Sequence, residues 1–283
     1  MTWRLEIRHE TGYRYPRDAR ASYNEARLTP LSTAGQLTVD ARVEVEPRVR
    51  LGRYWDYWGT LVHSFDVHVP HRELIVTATS MVETSVADDL DGGDHVDWDG
   101  LDEPRVLEEL YEFLAPCTMV PVDPGLGEVA ASLRAGAATP DEAVAAAAEW
   151  VRAALVYEKG STDVSTSAVE AWRAGRGVCQ DFVHVALALL RSMRIPGRYV
   201  SGYLHPRADA AFGEAVTGES HAWAEAWTGE WRPFDPTNPG PVGERHVVVA
   251  RARDYRDVVP LKGIYSGAPS STFTVNVTLT RRA

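Results

Sequence analysis

The sequence contains very little cysteine, and its charge is strongly one-sided. Only Cys117 and Cys179 are cysteines in a chain of 283 residues. Two thiols so far apart in a chain of this length predict no disulfide framework. The formal net charge of −11 argues against a nucleic-acid binder, because phosphate contacts need clustered Lys and Arg. A free thiol persists in a reducing compartment, so we expect a cytoplasmic protein.

Long apolar runs and cofactor motifs are also missing from the sequence. Neither the first residues nor any later stretch has an apolar run long enough for a signal peptide or a membrane span, so we expect no membrane association. No Gly-rich phosphate loop and no closely spaced Cys or His ligand pair is found, which predicts no cofactor and no metal. The acidic segment 86–103 is interpreted as a solvated linker, because its spacing fails the calcium-loop template.

The first 85 residues show the period-two alternation of β-strands. Turn clusters separate the apolar-polar stretches, and no helical period interrupts them. This pattern predicts a small antiparallel β-sandwich, which together with the linker forms a first domain over residues 1–100. The predicted strands are Trp3–Tyr15, Gln36–Val45, Leu61–Val69 and Glu73–Val82.

Helix signals dominate from Pro104 onwards, and strands follow them. Capping boxes begin at Thr139 and at Ser167, where a Glu three residues later can bond back to the helix start. A helix from Cys179 to Arg194 is apolar on nearly every side, so it should be buried. We therefore predict an α+β second domain over residues 101–283, with helices packed on an antiparallel sheet. Its predicted strands are Arg198–Leu204, His221–Trp227, Trp231–Asp235, His246–Arg251 and Thr272–Thr280, and further helices are predicted over Arg105–Leu114, 140–155 and 168–172.

Three residues in this second domain have the chemistry of a cysteine acyl-transfer site. Cys179 is predicted in the first turn of its helix, where unpaired N–H groups and the helix dipole stabilise a thiolate. A nearby imidazole would complete a thiolate-imidazolium pair, and a carboxylate would orient that imidazole. His221 and Asp235 are the candidates for these two roles.

Hairpin geometry places the His and the Asp on one face. If 228–230 is a three-residue turn, Trp227 pairs with Trp231, and His221 becomes the diagonal neighbour of Asp235. Diagonal Cβ atoms lie about 7 Å apart, within side-chain reach. A two-residue turn would instead put Asp235 on the opposite face. The catalytic interpretation therefore depends on a specific strand register.

Other titratable and polar residues near these positions have structural interpretations. Cys117 is expected to be a small buried apolar residue, and His184 a buried helix residue that donates to an acceptor. Asp181 is expected to offset the helix dipole. The backbone N–H of Cys179 is the first candidate oxyanion donor, and the second donor is left open between Trp172 and Gln180.

The motifs together resemble the transglutaminase-like superfamily, and more narrowly the bacterial transglutaminase-like proteins of cysteine-protease type. In the first domain, the similar stretches accompany that family's N-terminal β region, with Thr60 where the family often has Asn. The resemblance covers nearly the whole chain. The stretches that carry it are 9–15, 25–30 and 56–59 in the first domain, and 160–166, 177–184, 195–203, 220–223 and 235–238 in the second.

The resemblance implies a papain-like fold in which Cys179 is the nucleophile, His221 the general base and acid, and Asp235 the orienting carboxylate. It implies no calcium regulation here, since no matching acidic site is found. We expect a peptidase or amidase acting on a protein or peptide amide through a thioester. Transamidation to an amine is the first alternative, and a non-catalytic scaffold that retains the site is the second. The sequence leaves the oligomeric state open.

Overall fold

The computed structural model describes residues 2–85, 94–218, 220–267 and 269–283. Long antiparallel strands build its first part, as the period-two alternation predicts. The predicted linker lies outside the described residues over 86–93, and its remainder contains a short helix. The first six strands are β1 (Thr2–Ala19), β2 (Ala21–Ala26), β3 (Gln36–Glu46), β4 (Gly52–Trp55), β5 (Leu61–Val67) and β6 (His71–Ser85).

Helices and a second group of strands follow. The helices are α1 (Trp98–Leu101), α2 (Pro104–Glu109), α3 (Tyr111–Leu114), α4 (Pro124–Gly136), α5 (Pro140–Ala154), α6 (Ala168–Ala174) and α7 (Cys179–Ser192). The strands are β7 (Val156–Tyr157), β8 (Arg176–Gly177), β9 (Gly197–Leu204), β10 (Ala215–Gly218), β11 (Ser220–Trp227), β12 (Trp231–Phe234), β13 (His246–Ala252), β14 (Leu261–Ser266) and β15 (Thr272–Arg281). A 3-10 turn (Tyr255–Asp257) follows β13.

Two sheets form the β-sandwich, and both recruit strands from the end of the chain. One sheet has the order β10-β15-β1-β6-β3, and the other has the order β14-β2-β5-β4. Their facing apolar side chains, such as Val45, Phe65 and Val76, share one buried core. The sequence predicts β15 among the strands of the second domain, but β15 pairs with β1 along ten residues. The division of the chain at residue 100 stays a prediction.

The helices pack on a separate antiparallel sheet of order β12-β11-β9-β13. Alanines 222, 224 and 226 on β11 face the buried side chains of α7, because small residues let the helix approach the strand closely. The opposite face of this sheet packs on the sandwich through Tyr203 and Val247. The α+β fold class predicted from the sequence is confirmed.

Local helix signals were largely accurate, and the differences have local causes. Ser167 and Glu170 form the predicted capping box of α6. Thr139 caps α5 as predicted, but Glu142 bonds back to the N–H of Ala138 rather than to that of Thr139. Helix α7 ends at Ser192, two residues before the predicted end, because Arg194 adopts a left-handed φ of 63°. The predicted helix over Arg105–Leu114 is broken into α2 and α3.

Candidate active site

Cys179 lies where the nucleophile was predicted, at the first residue of α7. The residue before it, Val178, is extended, and its N–H donates to Oδ2 of Asp181 at 2.7 Å. This bond fixes the turn that presents the thiol; the expected role of Asp181 in offsetting the helix dipole stays a prediction. The thiol is free and half-buried, and it lines a cavity of about 350 Å³.

The hairpin that carries the other two residues has the predicted register. Trp227 pairs with Trp231 across the three-residue turn. His221 is the second residue of β11, and Asp235 directly follows β12. Their contact is a hydrogen bond of 2.7 Å between Nε2 of His221 and Oδ2 of Asp235. The side chains are only 9% and 2% exposed, so this pair lies almost out of water.

The carboxylate of Asp235 is held by several donors in addition to the imidazole. Its Oδ1 accepts the backbone N–H groups of Thr237 at 2.8 Å and Asn238 at 3.1 Å. Its Oδ2 also accepts the side-chain amide of Asn238 at 3.0 Å. These bonds satisfy the lone pairs of a buried anion, which would otherwise be costly to bury. The orientation of Asp235 toward the ring is therefore built into the turn after β12.

His221 interacts with the thiol as well as with the carboxylate. Burial alone would lower the pKa of its ring, but hydrogen bonds with Asp235 and with Cys179 raise that pKa to about 9. Because Nε2 bonds Asp235, Nδ1 is the ring nitrogen left for the sulfur. Burial would raise the pKa of Asp235, and the hydrogen bonds from His221 and from the side-chain amide of Asn238 hold it below its usual range instead. Cys179 and His221 thus line the same cavity, and Asp235 lies behind the ring of His221.

His246, the first residue of β13, belongs to the site although the sequence assigned it no role. Its Nδ1 accepts the backbone N–H of Gly243 at 3.2 Å, so the neutral ring carries its proton on Nε2. That Nε2 lies 3.8 Å from Oδ2 of Asp235, which is longer than a hydrogen bond. Burial lowers the pKa of His246, so a neutral ring stands behind the carboxylate. No sequence motif at positions 243–246 indicates that His246 lies near Asp235, because this proximity arises from the pairing of β13 with β9 in the sheet.

One set of described side chains has the composition of a metal site, namely His221, Asp235 and His246. Zinc bonds of about 2.0–2.1 Å place tetrahedral ligand atoms roughly 3.3 Å apart. Here the distances from Oδ2 of Asp235 are 2.7 Å to one ring and 3.8 Å to the other. The short distance fits a hydrogen-bonded pair better than two ligands of one ion, so this geometry favours the acid-base assignment.

The remaining sequence candidates have structural contacts. His184 is fully buried, and its Nε2 accepts the N–H of Tyr255 at 3.3 Å, so the ring accepts here rather than donating as expected. Cys117 lies 3.3 Å from the guanidinium of Arg191, and burial raises the pKa of its thiol. Gln180 lines the cavity beside Cys179, whereas Trp172 packs in the helical core against Gly125. Of the two candidate oxyanion side chains, Gln180 is the one at the cavity.

Comparison with known proteins agrees with this architecture. Residues 127–236 match the transglutaminase-like superfamily, and residues 5–83 match the bacterial transglutaminase-like N-terminal region. An uncharacterized protein of Mycobacterium leprae is 47% identical over 281 residues, which cover 99% of this chain and 100% of that protein. An uncharacterized protein of Mycobacterium tuberculosis is 32% identical over 308 residues, with 98% and 92% covered.

A solved structure shows the same fold. The crystal structure of "a Putative Cysteine Protease from Cytophaga hutchinsonii" has a TM-score of 0.77 and 22% identity, and the match covers 100% of this chain and 98% of that one. Fold and sequence together define a class of α+β proteins with a transglutaminase-like core. The chain belongs to the transglutaminase-like superfamily and carries the bacterial N-terminal region of that family. Among the described residues, no helix has the length and apolar character needed to cross a membrane.

Proposed function

We propose that the protein is a cysteine hydrolase that cleaves amide bonds in a protein or peptide through a thioester on Cys179. The observation that supports this most strongly is the hydrogen-bonded His221–Asp235 pair, which interacts with a free thiol at the start of a helix. The match to the transglutaminase-like superfamily supports the same chemistry. Cys117 is a poor alternative nucleophile, because burial raises the pKa of its thiol.

In the proposed reaction, the thiolate of Cys179 attacks the amide carbon, and the carbonyl oxygen becomes an oxyanion. The candidate donors to this charge are the backbone N–H of Cys179 at the start of α7 and the side chain of Gln180, which lines the cavity. The C–N bond then breaks, and the amine leaves with the proton from Nδ1 of His221. Asp235 keeps the ring oriented and stabilises its positive charge.

Hydrolysis completes the cycle when water attacks the thioester. His221 takes a proton from that water, the C–S bond breaks, and the carboxylic acid is released. An amine in place of water would give transamidation. The two reactions share every step up to formation of the thioester. We assign hydrolysis because no dedicated amine-binding group is seen among the described residues of the cavity. A reducing cytoplasm, which keeps the thiol reduced, is the proposed location.

The test is to incubate the protein with a glutamine-containing peptide, with and without an added primary amine, and to identify the products by mass spectrometry. Hydrolysis predicts free acid in both samples. Conjugate formed without free acid would show transamidation instead. A Cys179→Ala variant should form neither product, and Cys117→Ala is the matched control that should retain activity.

A scaffold that merely retains the three residues would behave differently. In the proposed enzyme, iodoacetamide alkylates Cys179 faster than a simple thiol, and His221→Ala slows that reaction. A rate equal to that of a simple thiol, and unchanged in His221→Ala, would support the scaffold.

A further inference from the structure

The reactive cavity continues on both sides into larger depressions of the surface. On one side, a cavity of about 430 Å³ shares Gly218, Ser220 and His221 with it. On the other side, a cavity of about 990 Å³ shares Ser220, Tyr255, Pro260 and Val275 with it. Because the cavity that Cys179 lines shares residues with both, the three cavities form one continuous cleft.

The proposed chemistry gives this cleft a direction. The departing amine takes its proton from His221, so the leaving group lies on the side that His221 lines and that extends to Thr237 and Asn238. The acyl group stays on the sulfur of Cys179. The acyl part of the substrate therefore extends in the opposite direction, into the larger cavity.

One face of the β1–β15 strand pair forms a wall of this acyl side. The residue pairs Tyr13–Phe273, Thr11–Val275 and His9–Val277 face each other across the two strands, and side chains two residues apart share a face. All six of these side chains line the two cavities on this side. The sandwich domain and the very end of the chain therefore contribute to the cleft.

The wall changes from buried to open along its length. At the inner end, His9 bonds the hydroxyl of Tyr203 at 2.9 Å, and Val277 is 2% exposed. Farther out, Val275 is 42% exposed and Phe273 is 60% exposed. The ring of Phe273 stacks on that of Tyr13 with centroids 5.7 Å apart. Adjacent exposed apolar side chains that continue a cleft are typical of a binding surface.

We propose that this wall is a specificity subsite that binds a bulky apolar side chain of the substrate, on the acyl side of the cleaved bond. The proposal rests on the proposed function, because that chemistry sets the direction of the cleft. The substrate class is a peptide with an aromatic or branched apolar residue within three positions before the scissile amide. An apolar side chain buried against Phe273, Val275 and Tyr13 removes exposed surface from water on both partners.

The test uses peptides that share one leaving group, 7-amino-4-methylcoumarin. One peptide has only glycine on the acyl side, and three others carry phenylalanine one, two or three residues before the cleaved bond. We expect one phenylalanine peptide to exceed the glycine peptide in kcat/KM by roughly tenfold or more. Phe273→Ala should reduce that preference to about twofold or less and leave kcat/KM for the glycine peptide unchanged. The control is Phe212→Ala, which removes an exposed phenylalanine outside this cleft.

Binding separates this inference from the proposed reaction. In a Cys179→Ala background, fluorescence polarisation should show the preferred phenylalanine peptide binding more tightly than the glycine peptide, and Phe273→Ala should abolish the difference. This result supports the subsite even if no peptide is cleaved by the native protein. The proposed subsite would be overturned if all four peptides bound with equal affinity, or if Phe273→Ala lowered the affinity for all of them equally. Because Phe273 is largely exposed, thermal melting should show that the variant folds.

Discussion

The hydrogen bond between Asp235 and His221 should control the charge of the imidazole near neutral pH. Other buried histidines of this chain show what burial does without a carboxylate partner. It lowers the pKa of His9 to about 4 and that of His184 to about 3. His221 is similarly buried, yet its pKa is raised to about 9 by Asp235 and Cys179. We therefore expect Asp235→Asn, which keeps the shape and removes the charge, to lower the pKa of His221 to near or below 6.5.

The size of this change follows from the two pKa values. A decrease of about 2.5 pKa units corresponds to roughly 3 kcal/mol of lost stabilisation of the imidazolium. At pH 8.5, roughly three quarters of the His221 rings are protonated with a pKa of 9, and about 1% with a pKa of 6.5. The alkaline limit of activity should therefore move to lower pH by about the same interval, since in the proposed reaction the imidazolium protonates the leaving amine.

NMR titration of the histidine ring carbons measures this pKa directly, with the His221 signal assigned from its absence in His221→Asn. His9 provides an internal control, because it has no carboxylate partner and its titration should not move in Asp235→Asn. A native His221 that titrates near 6.5, or one whose pKa is unchanged by Asp235→Asn, would refute the electrostatic part of the account.

Three further predictions concern the same side chains. Iodoacetamide should alkylate Cys179 before Cys117 in the folded protein, as peptide mapping can show, and preferential modification of Cys117 would contradict the assignment. Because the folded pKa of His221 exceeds the unfolded value, its contribution to stability is complete below about pH 6.5 and is lost as pH rises through about 9. Urea unfolding should show this decline in the native protein and a weaker one in Asp235→Asn. His246→Phe should reduce kcat/KM by less than about tenfold and lower the pKa of His221 only slightly. The reason is that Nε2 of His246 lies 3.8 Å from Oδ2 of Asp235, which is longer than a hydrogen bond. A loss of kcat/KM as large as that in Asp235→Asn would show that His246 acts directly.

The parts of the fold that local chemistry determines could be predicted from the sequence. The cap at Ser167 needs only residues within one turn. The three-residue turn after Trp227 sets the register that brings His221 to Asp235. Helix α4 was missed because glycines at 125 and 127 obscure its period, although Asp123 before Pro124 is a helix-start signal that could have revealed it.

Contacts between distant parts of the chain could not be predicted in the same way. The pairing of β15 with β1 joins opposite ends of the chain, and alternation in a strand does not identify its partner. His246 reaches Asp235 only because β13 and β11 both pair with β9. Strand β4 has four exposed residues, so it lacks the alternating pattern of a half-buried strand. Because alternation does not identify the partner of β15, nothing in the sequence indicated that Phe273 and Val275 line the cleft.

The central claim is that Cys179 carries the acyl group during the reaction. The most direct measurement is intact-protein and peptide mass spectrometry after the protein is mixed with a cleaved peptide and rapidly quenched in acid. We expect a mass increase equal to the acyl fragment, located on Cys179 and absent in Cys179→Ala. Product formation with no adduct on Cys179, or cleavage that persists in Cys179→Ala, would contradict it.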